Sequence, residues 1–210
     1  MLKKTSAALA LTCAAMAAHA DLTTITSPWP PTGSSGLDNV LFNVQTNGDL
    51  MIAMGAHAYK NSPTMTNDGV SVFYAPSGIY APDGKGYANW SFDFAWNLGT
   101  NCAGCKVLLS VDSDPSATVS FVEADLTAFG SSYAESWNLK MNFIPFVFDA
   151  LGNSSTDFKL TATTANGGVL AESSIRVVVN ADGNALPEPA SLALAGVALG
   201  ALGWARRRRA

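Results

Sequence analysis

The stretch Asn89-Trp90-Ser91-Phe92-Asp93-Phe94-Ala95-Trp96-Asn97-Leu98 alternates without a break. Trp90, Phe92, Phe94, Trp96 and Leu98 fall on one side and Asn89, Ser91, Asp93, Ala95 and Asn97 on the other, the period of two expected of a half-buried β-strand. Shorter runs of the same kind lie on either side of it, at residues 40–45, 50–59, 70–74, 106–112, 118–123, 136–143, 158–163 and 175–179. Asn47-Gly48 and Asn166-Gly167-Gly168 stand between apolar runs as tight turns with positive φ require, and Asp83-Gly84-Lys85-Gly86 marks a loop before the strongest strand. The pattern predicts an all-β domain over residues 37–180, an antiparallel two-sheet β-sandwich of eight or nine strands. That length sustains one core. Residues 21–36 read as an N-terminal segment or sheet edge, and 181–186 as a spacer.

Charge divides the 210 residues into three blocks. Lys3 and Lys4 lie in the first twenty, and Arg206, Arg207, Arg208 and Arg209 lie at the far end. Between residues 21 and 189 there are 6 basic and 16 acidic residues, a balance of −10 that the overall net charge of −4 conceals. An acidic, weakly charged body excludes nucleic acid as a partner, because phosphates demand a basic face. Plentiful aromatic and β-branched residues exclude disorder.

The ends read as addresses. Residues 1–20 hold a basic start, an apolar stretch at 7–18 and the small-residue site Ala18-His19-Ala20, the three parts of a secretory signal peptide that leaves Asp21 as the mature N-terminus. Leu11 and Thr12 ahead of Cys13 do not suit lipidation. At the other end, Pro187-Glu188-Pro189 precedes an uncharged stretch at 190–205, which as a helix would span roughly 24 Å, a thin transmembrane anchor. Gly196 and Gly200 give it a small-residue face suited to another membrane helix. The four arginines, held on the cytoplasmic side, put the body outside.

This tail resembles the PEP-CTERM sorting signal of Gram-negative bacteria that make exopolysaccharide, also known as the ice-binding protein C-terminal domain. All three parts occur in order over residues 186–209: Pro187-Glu188-Pro189-Ala190-Ser191, the apolar helix and the Arg cluster. The resemblance implies recognition by an exosortase, cleavage near Pro187, Glu188 and Pro189, transient anchoring in the inner membrane, and delivery to the outer surface or extracellular matrix. A sortase signal fails, because Pro189 and Ala190 stand where Thr and Gly are required. A GPI signal fails because its tail should end apolar. Phe92-Asp93-Phe94-Ala95-Trp96, Ser136-Trp137-Asn138-Leu139, Phe158-Lys159-Leu160-Thr161-Ala162 and Ser174-Ile175-Arg176-Val177-Val178-Val179 are similar to the β-sandwich domains that often precede such tails. They imply a fold and no activity.

Several residues of the body invite chemistry. Cys102 and Cys105 are its only cysteines, and in an oxidising compartment a structural disulfide is the default. A redox pair would open a helix, a c-type haem would need His where Lys106 stands, and zinc would need two more ligands beside the single body histidine, His57. That histidine reads as a partly buried strand or loop residue, since no Gly-x-Ser-x-Gly elbow supports a serine triad. Asp112, Asp114, Glu123 and Asp125 end neighbouring strands. They read first as solvated turn acids, then as calcium ligands stiffening a loop, and last as a glycosidase pair. Trp29, Tyr74, Tyr80 and Tyr87 lie in or beside predicted loops, where flat rings can meet saccharide faces. The whole predicts a secreted envelope or matrix protein, structural or interacting in role and not an enzyme, requiring no cofactor. A carbohydrate module binding exopolysaccharide is the alternative, and other envelope proteins are further partners.

Overall fold

The computed structural model describes residues 21–25, 37, 39–100, 102–114, 116 and 118–184. Eleven strands occur among them: β1 (Thr23–Thr24), β2 (Leu41–Asn47), β3 (Leu50–Ala58), β4 (Thr66–Asn67), β5 (Val72–Pro76), β6 (Trp90–Asn97), β7 (Lys106–Asp112), β8 (Phe121–Asp125), β9 (Ser132–Trp137), β10 (Ser154–Thr163) and β11 (Val169–Asn180). They form a five-stranded sheet in the order β1-β2-β3-β6-β9 and a six-stranded sheet in the order β4-β5-β11-β10-β7-β8. The sandwich is thus all-β, with two short edge strands, β1 and β4, beyond the nine runs visible in the sequence.

The core lies between the sheets. From β6, Trp90, Phe92, Phe94 and Trp96 point inward with Ile52 and Met54 of β3, and meet Leu109 of β7, Phe158 and Leu160 of β10, and Val177 of β11. Phe92 stacks on Phe158 at 4.5 Å, and Trp90 meets the same ring edge-on at 6.0 Å. Burying an aromatic or branched side chain of this size is worth about 2 kcal/mol, so this row dominates the packing energy. At the β2–β3 hairpin Gly48 takes φ 64°, as the Asn-Gly signal requires.

Three expectations need correction. The opposite side of β6 is not a solvated face, because Ser91, Asp93 and Ala95 are buried too. A second, smaller cluster of Leu37, Val40, Phe42, Ala53, Ala95 and Ala134 lies on this outer side of the five-stranded sheet. Gly55 belongs to the same surface: a Cβ there would sit 2.5 Å from the Leu41 carbonyl oxygen and 3.0 Å from the Phe42 ring.

The second correction concerns direction. The sheets are not wholly antiparallel, since β5 and β11 pair in parallel, Val72 against Arg176 through Pro76 against Asn180. A parallel neighbour must arrive by a long connection, and no local pattern reports it. Here nearly the whole domain separates the two strands.

The third is the run at 136–143, which alternates as a strand would yet leaves the ladder after Trp137. Asn138 is the cause. Fully buried, its Nδ2 donates to the carbonyls of Ala88 (3.0 Å) and Trp90 (2.7 Å), while its Oδ1 accepts from Ala88 N–H at 3.0 Å. The side chain replaces a strand's backbone bonds, and the chain turns as Met141 N–H donates to the Asn138 carbonyl at 2.9 Å. Asn138→Ala leaves three buried backbone groups unpaired and should lower the unfolding free energy by about 3 kcal/mol, measured by urea denaturation. A loss below about 1 kcal/mol would show that this side chain does not hold the junction.

Candidate functional site

Three of the four acids at the β7–β8 hairpin, Asp112, Asp114 and Asp125, are occupied locally. Asp112 is buried, and its Oδ1 accepts from the N–H groups of Asp114 (3.1 Å) and Ser120 (2.8 Å), which ties the turn. Asp114 accepts from Ser116 N–H at 2.9 Å and Asp125 from Thr127 N–H at 2.9 Å; these bonds hold both carboxyls below the usual range. The ladder sets Asp112 opposite Phe121, Glu123 opposite Ser110 and Asp125 opposite Leu108, so the four acids are strung along the hairpin. Among the described residues no group of three or more His, Cys, Asp or Glu side chains is placed to hold a metal. The structure does not bring the proposed calcium ligands together.

The outer face of the six-stranded sheet carries a shallow groove of about 460 Å³ bordered by Ser71, Phe121, Asp157, Lys159, Glu172 and Arg176. A second depression of about 340 Å³ shares Asp157 and Arg176 with it. The charges there satisfy one another across strands. Arg176 makes a two-pronged bond to Asp157 (Nε to Oδ1 2.7 Å, Nη2 to Oδ2 2.8 Å), and Lys159 lies 3.4 Å from Glu172.

One pair was not visible in the sequence. His57 of β3 and Asp93 of β6 both project from the outer side of the five-stranded sheet, and Nδ1 donates to Asp93 Oδ2 at 2.8 Å. The imidazole is 30% exposed and the carboxylate 0%. Asp93 Oδ1 is buried with no hydrogen-bond partner among the described residues. Burial raises the Asp93 carboxyl above the carboxylate range, more strongly than the His57 bond and charge lower it. For His57, burial works against the charged ring, but the bond to Asp93 and its charge prevail and raise the imidazole above its ordinary value. This is more than the bland histidine the sequence suggested. It is a partly open imidazole backed by a buried acid.

Of the loop aromatics, Tyr80 and Tyr87 come together around Tyr59, at 5.4 Å and 5.6 Å and nearly edge-on. Tyr59 Oη and Lys60 Nζ both donate to Asp83 Oδ2, at 3.0 Å and 2.9 Å. The group fastens the loop around the 3₁₀ turn Ala81–Asp83 to the end of β3. Tyr74 is a strand residue of β5, and Trp29 lies outside the described residues. Cys102 and Cys105 form a disulfide and Lys106 begins β7, so the bridge closes the connection from β6.

Comparison with known proteins adds one assignment. A family model described as the PEP-CTERM protein-sorting motif matches residues 185–209. The chain carries a PEP-CTERM sorting tail. Pro187, Glu188, Pro189 and Arg206, Arg207, Arg208 and Arg209 all fall within the match. The motif implies an exosortase as processing partner and secretion in a Gram-negative bacterium. No curated protein matches the chain. Among solved structures, the crystal structure of the PmoD soluble domain from Methylocystis sp. ATCC 49242 (Rockwell) is similar over 65% of this chain and 96% of that chain, at 11% identity and a TM-score of 0.33.

The PEP-CTERM tail, like residues 1–20, where the sequence predicts a signal peptide, lies outside the described residues, and among those described no helix is long and apolar enough to cross a membrane. The spacer before the tail is partly visible. Gly183 N–H donates to the Asn180 carbonyl at 3.3 Å, Thr66 Oγ1 donates to the Gly183 carbonyl at 3.1 Å, and Gly183 lies against Pro76. The chain is therefore fastened to the sandwich up to the threshold of the tail.

Two measurements test this geometry. Replacing Cys102 and Cys105 together by Ser opens a very small loop (sequence separation 3) and should cost about 2 kcal/mol of unfolding free energy while the fold persists. For the His57–Asp93 pair the sign is fixed, because both groups hold their protons more tightly folded than unfolded. Their stabilisation is present in acid; for Asp93 its loss sets in above the ordinary carboxyl value of 3.8, and for His57 it follows as pH rises from the ordinary imidazole value of 6.5 through the raised one. We expect the folded protein to melt lower on passing from about pH 6 to about pH 9, with His57 titrating above about 6.5 by NMR, and Asp93→Asn to abolish the upward shift. An unshifted imidazole in the native protein would refute the pairing.

Proposed function

We propose that the chain is exported, held at the inner membrane by residues 190–205 with Arg206 to Arg209 in the cytoplasm, cut near Pro187-Glu188-Pro189 by an exosortase, and displayed at the outer surface or in the extracellular matrix. Its sandwich acts there as a structural and interaction protein and not as an enzyme. The sorting motif at residues 185–209 carries this reading, because it follows directly on β11 and the turn after it. The last strand, β11, is interior to its sheet, and the turn at 181–184 is tied back by Thr66 and Asn180. Cleavage beyond that turn removes no strand, so the released body keeps its core. The acidic body repels anionic membranes and polymers, which favours neutral glycans or other envelope proteins as contacts. Carbohydrate binding is favoured over glycoside hydrolysis because Asp112, Asp114 and Asp125 are engaged with backbone N–H groups.

Mass spectrometry of protein recovered from the cell surface should find Asp21 at its start and a C-terminus near residues 187–190, with the arginines gone. In cells lacking the exosortase the tail should be intact and the protein retained in the inner-membrane fraction. Surface protein that still carries Arg206 to Arg209 in wild-type cells overturns the sorting reading.

A further inference from the structure

The free edge of the five-stranded sheet carries a row of rings. β9 is an edge strand, and Tyr133, Glu135 and Trp137 alternate onto one side of it, the side that pairs with Trp96, Phe94 and Phe92 of β6. Two of these are anchored in the core: Tyr133 lies 5.3 Å from the Trp96 ring, and Trp137 meets Phe94 edge-on at 4.8 Å. Two further rings extend the row outward. Phe129, from the 3₁₀ turn Thr127–Phe129, lies 4.8 Å from Tyr133 and 6.5 Å from Trp137, and Phe143 lies 4.8 Å from Trp137. Phe129 is 45% exposed and Phe143 58%. Contiguous exposed aromatic surface on rigid supports marks a contact site more often than it occurs by chance. None of these rings was among the loop aromatics singled out from the sequence.

The polar groups decide what fits. Glu135 stands between the rings: its Oε2 accepts from Tyr133 Oη at 3.1 Å and its Oε1 from Ser136 N–H at 3.0 Å. That second bond occupies a backbone donor of β9 and so opposes addition of a partner strand at this edge. An apolar helix or a lipid surface laid on the rings would strip water from a charged carboxylate and offer no donor to its remaining lone pairs, which is costly. Each carboxylate oxygen retains a lone pair, and an anionic partner is disfavoured by Glu135 and by the acidic body. A ligand with apolar C–H faces for the rings, hydroxyl donors for the remaining lone pairs of the carboxylate and no negative charge meets all of these features at once.

We propose that Phe129, Tyr133, Trp137 and Phe143, with Glu135 as acceptor, form a binding strip for a neutral polysaccharide chain. Pyranose faces lie on the outer rings, and a hydroxyl donates to Glu135. The strip deepens the reading of the body as an interaction module and is independent of the processing step. Because Tyr133 and Trp137 are already locked by the core, little side-chain freedom is lost on binding.

The test uses the exported protein purified from its producing cells, in detergent where the tail is retained, run by affinity electrophoresis through gels containing laminarin, hydroxyethyl cellulose or galactomannan. Retardation by at least one polymer is expected, with affinity reduced about tenfold by Phe129→Ala and by Phe143→Ala and several-fold by Glu135→Gln. Val169→Ser, an exposed apolar residue at the start of β11, should leave it unchanged. Both phenylalanines are exposed, and unchanged circular dichroism confirms that their variants fold. The proposal is overturned by no retardation in any of the three gels, by retardation that both Phe variants retain in full, or by rings that instead hold two copies together, seen as a dimer that Phe143→Ala dissociates. The processed C-terminus is read separately by mass spectrometry, so failure of the strip and failure of the sorting reading are distinct results.

Discussion

Trp90, Phe92, Phe94 and Trp96 occupy successive inward positions of one strand, and the stack of Phe92 on Phe158 joins them to the opposite sheet. A slip of one residue in β6 would turn all four rings outward, at a cost of about 8 kcal/mol, comparable to the whole net stability of a domain. That register then dictates its neighbours. It sets Asn138 against the carbonyls of Ala88 and Trp90, it brings Tyr133 and Trp137 alongside Trp96 and Phe92, and it places Asp93 within reach of His57. β6, flanked by β3 and the edge strand β9, is thus the source of both polar singularities and of the aromatic edge.

What the sequence exposed and what it hid follow from the range of each interaction. Alternation is local, so eight of the nine principal strands were legible, and so was the hairpin at Asn47-Gly48; β9 (Ser132–Trp137) was met only at its last two residues by the run at 136–143. The parallel pairing of β5 with β11 joins segments nearly a hundred residues apart and leaves no local mark. At 136–143 the alternation was real, but a single buried amide outweighed it. The His57–Asp93 pair was hidden because it needs the register between β3 and β6: His57 stands opposite Ser91, and Asp93 opposite Gly55, one step along the diagonal. A usable signal did exist. An Asp in the most aromatic strand and the single body histidine in its neighbour are both costly inside a sheet unless each satisfies the other. The sorting motif lies at the other extreme, since it is read in order along the chain and requires no fold.

The charges of the body sort by location. On the outer face of the six-stranded sheet Arg176 and Asp157 are bonded across directly opposed positions, and Lys159 reaches Glu172 on the diagonal. Such exposed pairs contribute little to stability, about 0–1 kcal/mol each, but they leave that groove neutral and self-satisfied. The excess negative charge therefore resides elsewhere, largely on turn acids whose oxygens are capped by backbone N–H groups. Those acids raise solubility and repel anionic polymers without forming a site. For the same reason the aromatic edge, where Glu135 keeps acceptor capacity, differs chemically from the rest of the surface.

Edge protection brings these threads together. A sandwich has open edges, and copies of such a protein risk pairing with one another through them. Here β1 and β4 are two residues long, too short to template a partner. β8 is exposed throughout, but an antiparallel copy centred on Glu123 would set two glutamates directly opposite one another. Lys159 covers the Phe121 ring of the same strand at 5.3 Å. β9 is the longer edge of the five-stranded sheet, and there Glu135 takes the Ser136 N–H for itself. All four edges thus discourage backbone pairing, by shortness or by charge, while the aromatic faces beside β9 stay open. A fold that discourages strand addition but leaves rings uncovered is arranged for contact through side-chain faces, which suits a flexible, hydroxylated chain better than another sheet.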